Sequence, residues 1–220
     1  MDGRAYEQYD LIANEYTRTF AGEFDDRPFD RAVLRSFADH VVRSGGSTVL
    51  DVGCGPGEAA AELASCGLRA EGIDGSPAMV SLATQQWPQV RFQTADMFDL
   101  PYEAGAFDAV CAWYSIIHTP AEALSELFTR FRRVLTDPGW LLLGFQTDGE
   151  TAVYDHAFGR DVALTFLRHD IPVVCDALEA SGFTVYATTK RARQVQLDEP
   201  TAQAMVIAHT RRLAVPKNQS

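Results

Sequence analysis

Three carboxylates and a run of glycines are the residues of this chain whose types and spacing could bind a nucleotide. Asp51 ends an apolar segment and precedes glycines at positions 53, 55 and 57. Asp74 and Asp96 follow at intervals of roughly 20 residues. Glycine has no Cβ, so the backbone can turn tightly there and a ligand can approach its amides closely. We therefore expect a strand, a tight turn and a helix N-terminus that together form half of a nucleotide pocket.

A histidine is the side chain best suited to accept a proton near neutral pH. His118 comes soon after the apolar segment 107–113, which is predicted to be a buried strand whose carboxyl end opens onto the pocket. Its imidazole titrates in the range that a general base requires. The sequence equally allows His118 to pack or hydrogen-bond at the entrance of the next helix, and His156 is a second histidine that could face a substrate.

The elements that position these residues alternate between predicted strands and helices. Strands are predicted over 49–52, 69–74, 90–95, 107–113, 140–146, 183–189 and 204–209. Ligands of doubly wound sheets bind beyond the carboxyl ends of strands, at the point where the strand order reverses. That rule places Asp51, Asp74, Asp96 and Trp113 around one crevice.

Helical spacing of apolar residues predicts the covering layers. Aromatic residues on one side of 5–20 indicate a lid helix within residues 1–27. A capping box at 119–122, with proline at the first helical position, predicts a helix over 120–135, and a further helix is expected over 173–180. Residues 147–170 are the least regular part, with an aromatic and histidine-bearing patch, and 212–220 are expected to be a tail.

Length and composition limit the class of protein. A chain of 220 residues with 46% hydrophobic and 22% charged residues suits a single domain over 1–220. The formal net charge of −11 argues against nucleic-acid binding. We expect no membrane span, no signal peptide, no metal and no disulfide framework, and hence a cytoplasmic protein that is a monomer or a homodimer.

The ordered motifs resemble those of the class I S-adenosylmethionine-dependent methyltransferases. The resemblance rests on 51–57, 72–76 and 95–97, and covers roughly residues 45 to 146, with weaker similarity in the flanks. It implies a Rossmann-like α/β fold, a doubly wound and mostly parallel seven-stranded sheet with an antiparallel C-terminal strand. It also implies S-adenosyl-L-methionine as cofactor, S-adenosyl-L-homocysteine as product, and an acceptor pocket built by residues 147–170.

The resemblance assigns roles to residues of this sequence. The residues expected to bind the cofactor are Tyr16, Asp51, Gly53, Cys54, Gly55, Asp74, Gly75, Met79, Asp96, Met97 and Trp113. The acceptor is expected to contact Tyr6, Tyr9, Tyr114 and His156, and His118 is the expected catalytic base. Asp74 would accept the ribose hydroxyls; its alternative role, capping the next helix, is already served by Ser76. Met79 fits either the adenine face or the core.

Three functions are compatible with these motifs. The leading hypothesis is methyl transfer to an oxygen, nitrogen or sulfur atom of a small organic molecule, whose identity the motifs do not determine. A second is a protein that binds the cofactor without transferring the methyl group, such as a regulator or a cyclase. An NAD-dependent oxidoreductase is disfavoured, because Glu58 would face the pyrophosphate where a small residue is required.

Overall fold

The computed structural model describes residues 4–210, and its centre is a seven-stranded sheet. In chain order the strands are β1 (Thr48–Val52), β2 (Arg69–Asp74), β3 (Arg91–Thr94), β4 (Phe107–Trp113), β5 (Leu135–Thr147), β6 (Ala152–Ala157), β7 (Arg160–Phe166), β8 (Phe183–Arg191) and β9 (Ala202–Thr210). Seven of these strands form the central sheet, in the order β3-β2-β1-β4-β5-β9-β8, and β6 and β7 form a separate two-stranded sheet. Only β9 runs antiparallel to its neighbours in the central sheet, so the predicted fold class is confirmed.

Helices cover both faces of the sheet. They are α1 (Arg4–Phe20), α2 (Glu23–Asp26), α3 (Pro28–Arg43), α4 (Glu58–Ser65), α5 (Pro77–Gln86), α6 (Leu124–Val134) and α7 (Ile171–Ala180). The buried side chains of β1 alternate between the two faces: Leu50 and Val52 pack in one hydrophobic cluster and Val49 in the other. Because both faces are covered, the strand reads as a continuous apolar run.

The strand order reverses beside β1, and this reversal positions the crevice. β1 pairs in parallel with β2 on one side and β4 on the other, with Asp51 opposite Gly72 and Cys111. The connections that leave β1 and β4 lie on opposite faces of the sheet, so a cleft forms between the carboxyl ends of these two strands. The observed topology therefore provides the crevice expected from the sequence.

The predicted start of the helix before β5 and the predicted start of β5 itself are both wrong. The helix predicted over 120–135 begins at Leu124, preceded by two 3₁₀ turns, Ile116–His118 and Ala121–Ala123. Thr119 does not cap it; its Oγ1 is buried without a hydrogen-bond partner. β5 begins at Leu135, five residues before the predicted start, because the turn at 137–139 is accommodated as an irregularity of the register with β4.

The segment 147–170, predicted to be irregular, contains an antiparallel hairpin formed by β6 and β7. Val162 and Leu164 of β7 pack against Ile12 of α1 in a small separate cluster. Helix α1 and the short α2 lie within the segment 1–27 in which a lid helix was predicted, and the role of a lid stays a prediction. Residues 1–3 and the expected tail 212–220 lie outside the described residues. Within 4–210, no helix is both long and apolar enough to cross a bilayer.

Candidate active site

A cavity of about 600 Å³ opens at the carboxyl ends of the central strands, beneath α1 and the hairpin. Its wall includes most of the predicted cofactor residues, namely Tyr16, Asp51, Gly53, Cys54, Asp74, Met79, Met97 and Trp113 together with Gly55. The predicted acceptor residues Tyr6, Tyr9, Tyr114 and His156 and the predicted base His118 also line it. One cavity therefore unites residues from nearly the whole length of the chain.

The glycine segment forms a tight turn at the bottom of this cavity. The amides of Gly53 and Cys54 both donate to the carbonyl of Ile73, at 2.8 and 2.9 Å, which fastens the turn to β2. Gly53 has φ +69° and a side chain there would overlap Ser115. Gly55 has φ +50° and nothing within 4 Å of an added Cβ, so its backbone borders open space. The turn thus exposes main chain to a ligand, as glycine allows.

Asp74 links the tip of β2 to the glycine turn. Its Oδ2 accepts the Gly55 amide at 2.9 Å, and its Oδ1 accepts the Ser76 amide at 2.8 Å. Burial raises the pKa of this carboxyl, and the two amides oppose the rise. Each oxygen keeps a second lone pair for a ligand hydroxyl. The Ser76 hydroxyl accepts the Met79 amide at 3.1 Å, which confirms that Ser76 caps α5.

Asp51 is a carboxylate in the cavity wall with neither oxygen hydrogen-bonded. It is 1% exposed, and burial raises its pKa to about 7; the nearby Ala60 amide, which does not reach hydrogen-bond geometry, opposes the rise, and the Asp74 carboxyl adds to it. A buried unpaired carboxylate is costly, so a cationic or N–H-bearing ligand group beside it would be stabilising. The ammonium group of S-adenosylmethionine is such a group, so the residues present fit this cofactor.

Tyr6 covers two predicted cofactor residues that do not line the cavity in this structure, Gly75 and Asp96. Its ring lies so close to Gly75 that any side chain at that position would overlap it. The Tyr6 hydroxyl donates to Asp96 Oδ1 at 3.4 Å, and the same oxygen accepts the Phe98 amide at 2.8 Å. Asp96 is exposed at the rim rather than inside, because the lid helix stands between it and the cavity.

His118 is held by hydrogen bonds at both ring nitrogens. Its Nδ1 lies 2.7 Å from the carbonyl oxygen of Thr165, and its Nε2 lies 2.8 Å from the hydroxyl of Tyr9. A carbonyl oxygen only accepts, so Nδ1 carries the proton and Nε2 accepts from Tyr9. Burial lowers the pKa of His118, and the bond to Thr165 opposes the fall. The imidazole is therefore neutral at pH 7, with Nε2 as its basic atom.

Aromatic rings form the lid side of the cavity. The rings of Tyr9 and Tyr16 meet edge to face with centroids 5.8 Å apart, and Tyr16 meets Phe158 at 5.9 Å. Burial raises the pKa of both tyrosines well above the ordinary value. They therefore remain neutral hydroxyl donors within an otherwise apolar cover.

Tyr114 and His156 occupy opposite environments among the predicted acceptor contacts. Tyr114 follows β4 with φ +55°, a conformation unusual for a bulky residue, and it is largely buried near Arg191. The His156 side chain is 67% exposed, and its Nδ1 lies 2.9 Å from Asp161. His156 therefore stands at the mouth of the cavity, while Tyr114 belongs to its interior.

Several cavity residues were not predicted from the sequence. They include Glu23, Arg27, Ser115, Gln146, Arg168 and Glu199. Gln146 lies near the carboxyl end of β5, so the strand-end rule could have identified it. Arg27 pairs with Glu23, four residues away, at 3.2 Å and with Glu199 at 3.4 Å, and the second pair joins distant segments that no local pattern reveals. Across residues 4–210, no group of three or more histidine, cysteine or acidic side chains forms a metal site.

The known proteins whose sequences resemble this chain include several methyltransferases. The family model described as "Methyltransferase domain" matches residues 49–139. A protein named uncharacterized methyltransferase in Synechocystis is 29% identical over 186 residues, covering 80% of this chain and 82% of its own length. The demethylmenaquinone methyltransferase of Beutenbergia cavernae is 31% identical over 137 residues, covering 61% of this chain and 54% of its own. The chain spans between 29% and 64% of the length of seven curated relatives that it matches, the demethylmenaquinone methyltransferase among them.

The fold has solved counterparts. Magnesium protoporphyrin IX methyltransferase from Synechocystis, with bound S-adenosylmethionine, superposes with a TM-score of 0.69 at 21% identity, covering 96% of this chain and 98% of that one. Fold and cavity together define a doubly wound α/β protein with an adenosine-type binding cleft. Residues 49–139 match the methyltransferase family model, and the fold is that of the class I S-adenosylmethionine-dependent methyltransferases, whose cofactor is S-adenosyl-L-methionine.

Proposed function

We propose that this protein transfers a methyl group from S-adenosyl-L-methionine to an oxygen, nitrogen or sulfur atom of a small organic molecule. The observation that carries the proposal is the placement of His118, which lines the same cavity as Asp51 and Asp74 and whose Nδ1 contacts the Thr165 carbonyl, so that Nε2 is the nitrogen available to accept a proton. A base beside the cofactor residues is the one chemical group that an acceptor bearing an O–H, N–H or S–H proton requires.

The chain's own residues supply position, a proton acceptor and cover from water. When bound, the cofactor supplies a methyl group already activated by its sulfonium charge. Asp74 and the glycine turn would hold its adenosine part, and Asp51 its ammonium group. His118 Nε2 accepts the acceptor's proton when the acceptor takes the place of the Tyr9 hydroxyl, and the Thr165 carbonyl keeps the other ring proton in place. Alignment and exclusion of water are large terms in such transfers.

The acidity of the cavity supports a cationic cofactor over a pyrophosphate. Glu58, at the start of α4, accepts the Gln86 side chain at 3.1 Å and the Gly22 amide at 3.4 Å. Its carboxylate therefore stays beside the glycine turn, where it would repel a dinucleotide phosphate. The same negative charge is favourable for a sulfonium and an ammonium.

Transfer itself is tested with methyl-labelled cofactor. The protein is incubated with labelled S-adenosylmethionine and a panel of hydroxylated, amino and thiol aromatic compounds, and products are identified by mass. We expect label in one class of acceptor with an equal amount of S-adenosylhomocysteine. Tight cofactor binding without label in any acceptor would instead support a binding protein or a cyclase. Failure to bind either form of the cofactor would contradict the proposal altogether.

The proposal extends to the setting of the reaction. We propose that the reaction takes place in the cytoplasm and that its acceptor is a free small molecule rather than a nucleic acid. We also propose that the protein is a monomer or a homodimer. The net charge of −11 and the unpaired state of all four cysteines support this setting. Cell fractionation tests the compartment, and light scattering during size-exclusion chromatography tests the oligomeric state.

A further inference from the structure

Arg168 is a cation in the cavity wall without a counter-ion. Its Nε and Nη1 are buried and have no hydrogen-bond partner. No carboxylate of residues 4–210 lies within ion-pair distance of its guanidinium. Burial lowers the pKa of Arg168, but a guanidinium stays protonated in proteins. The positive charge is therefore present, and nothing in the described chain neutralises it.

The other arginine of the cavity shows that this state is particular to Arg168. Arg27 lines the same cavity and is paired with Glu23 and Glu199. A charged group taken out of water is destabilising unless a partner and hydrogen bonds compensate it. The buried Nε and Nη1 of Arg168 lack that compensation in the free protein, so a ligand anion that reached them would supply it on binding.

The position of Arg168 relates it to the proposed base. Its Cζ lies 6.0 Å from the centroid of the Phe166 ring, and the His118 ring lies 5.0 Å from the same ring. Tyr154 interacts with the guanidinium and meets the Phe166 ring at 5.3 Å. The cation and the base thus lie near the same aromatic ring, so one small flat molecule in the cavity could reach both.

A neutral acceptor atom lies at the same end of the cavity. The Oε1 of Gln146 is buried without a hydrogen-bond partner, and the Gln146 carbonyl accepts the His169 amide at 3.0 Å, next to Arg168 in sequence. The cavity therefore presents one cation and one unsatisfied acceptor atom beside aromatic rings. The asymmetry matches an anion that also carries an O–H or N–H donor.

We propose that the acceptor pocket recognises an aromatic or similarly flat carboxylate, and that Arg168 binds its carboxylate group while His118 faces the group to be methylated. The inference rests on the proposed function for the role of His118. Recognition of the anion by Arg168 is independent of whether the methyl group is transferred. Because a charged hydrogen bond contributes about 1.5–3 kcal/mol, the carboxylate should bind at least about tenfold more tightly than a neutral analogue.

The experiment measures binding rather than turnover. The protein, saturated with S-adenosylhomocysteine, is titrated by calorimetry with hydroxybenzoates and hydroxycinnamates, each paired with its primary amide. We expect at least one carboxylate to bind about tenfold more tightly than its amide. In Arg168→Gln the two should bind within about twofold of each other, and Arg168→Lys should keep part of the preference. Arg160→Gln is the matched control, since Arg160 is exposed at the start of β7, the strand that precedes Arg168, and does not line the cavity.

Three results would overturn the proposal. One is a panel in which no carboxylate binds better than its amide, including a panel in which nothing binds. Another is a preference that survives in Arg168→Gln. The third is a loss of S-adenosylhomocysteine affinity in that variant, which would assign Arg168 to the carboxylate of the cofactor. Selective carboxylate binding without label transfer would leave this inference standing and contradict the proposed methyl transfer.

Discussion

The carbonyl oxygen of Thr165 lies 2.7 Å from Nδ1 of His118, and this contact joins the hairpin to the exit of β4. A bond between main-chain atoms, from the Leu167 amide to the Ile117 carbonyl at 2.8 Å, reinforces the junction. Both contacts use backbone atoms, so the side chain at position 165 is free to vary. The tautomer of the proposed base is therefore set by the conformation of the hairpin.

Replacing His118 should impair chemistry and spare cofactor binding. His118→Gln removes the proton acceptor, and general-base contributions of about 10²–10⁴-fold lead us to expect a loss of that size in single-turnover methyl transfer. The affinity for S-adenosylhomocysteine, measured by calorimetry, should stay within about twofold. His40→Gln serves as control, because His40 stacks on Trp140 away from the cavity. A wild-type rate in His118→Gln would return His118 to a structural role.

The pH dependence of the reaction should report the same histidine. The base must be neutral, and burial lowers the pKa of His118, so kcat/KM should fall only below the ordinary histidine pKa of about 6.5. The same sign makes His118 destabilising for the fold as pH drops below that value, because the unfolded chain binds the proton more readily. Rate profiles between pH 5 and 9 measure this fall of kcat/KM at low pH, the acid limb of the profile. The acid limb should be absent in His118→Gln. An unchanged acid limb in the variant would assign it to another group.

Removing the carboxylate of Asp74 should weaken cofactor binding. Asp74→Ala deletes the acceptor of the Gly55 and Ser76 amides and of ligand hydroxyls, so the affinity for S-adenosylhomocysteine should fall about tenfold or more. Calorimetry measures the change. Asp99→Ala, an exposed carboxylate outside the cavity, should have little effect. Equal affinity in wild type and Asp74→Ala would show that the tip of β2 does not bind the cofactor.

Asp51 should lower the stability of the cofactor-free protein and strengthen cofactor binding. With a folded-state pKa of about 7 and an unfolded value near 3.9, its ionisation destabilises the cofactor-free protein as pH rises from about 4 to 7. Asp51→Asn removes that loss, so its Tm should exceed the wild-type Tm at pH 8 and differ less at pH 5. Cofactor affinity should fall in the same variant. A Tm difference that does not depend on pH would show that Asp51 is not protonated on folding.

Arg191 should be essential for stability rather than for chemistry. Its guanidinium contacts Asp30 at 2.6 and 2.8 Å and Glu199 at 2.6 and 2.7 Å, and all three side chains are largely buried. Within residues 4–210, Arg191→Met would leave Asp30 without a cation and Glu199 with only the Arg27 cation at 3.4 Å, at a cost of about 3–5 kcal/mol in the free energy of unfolding. Urea denaturation measures it. Arg130→Met, which breaks an exposed pair with Glu126, should cost less than about 1 kcal/mol.

The central strands were predictable because their residues are buried on both faces of the sheet, an environment that restricts the residue types allowed. A strand covered on both faces must be apolar throughout, and a glycine turn that borders a ligand must lack side chains, so 49–57 could be interpreted locally. The hairpin at 152–166 was not predicted, because its outer face is exposed and it packs mainly on α1, a contact across some 150 residues. The start of α6 was also misplaced, since the capping pattern at 119–122 was satisfied in sequence but not in space.

The cavity residues divide in the same way. Asp51, Asp74 and His118 were identified because each lies at or soon after the carboxyl end of a predicted strand, and parallel strands end at one edge of the sheet. Asp96 follows the same rule, yet it stands outside the cavity, because Tyr6 of the lid lies over that strand end. Arg168 carries no local signal, and only the absence of a counter-ion in three dimensions distinguishes it from the other arginines.

The sequence by itself determined the alternation of strands and helices, the position of the glycine turn and the acids at the strand ends, because these depend on backbone conformation and on burial along a few consecutive residues. Only the tertiary structure decided which nitrogen of His118 is basic, which strand end the lid covers and which cation lacks a partner. Those properties depend on distances between side chains that lie far apart in the chain, and such distances exist only once the elements have packed.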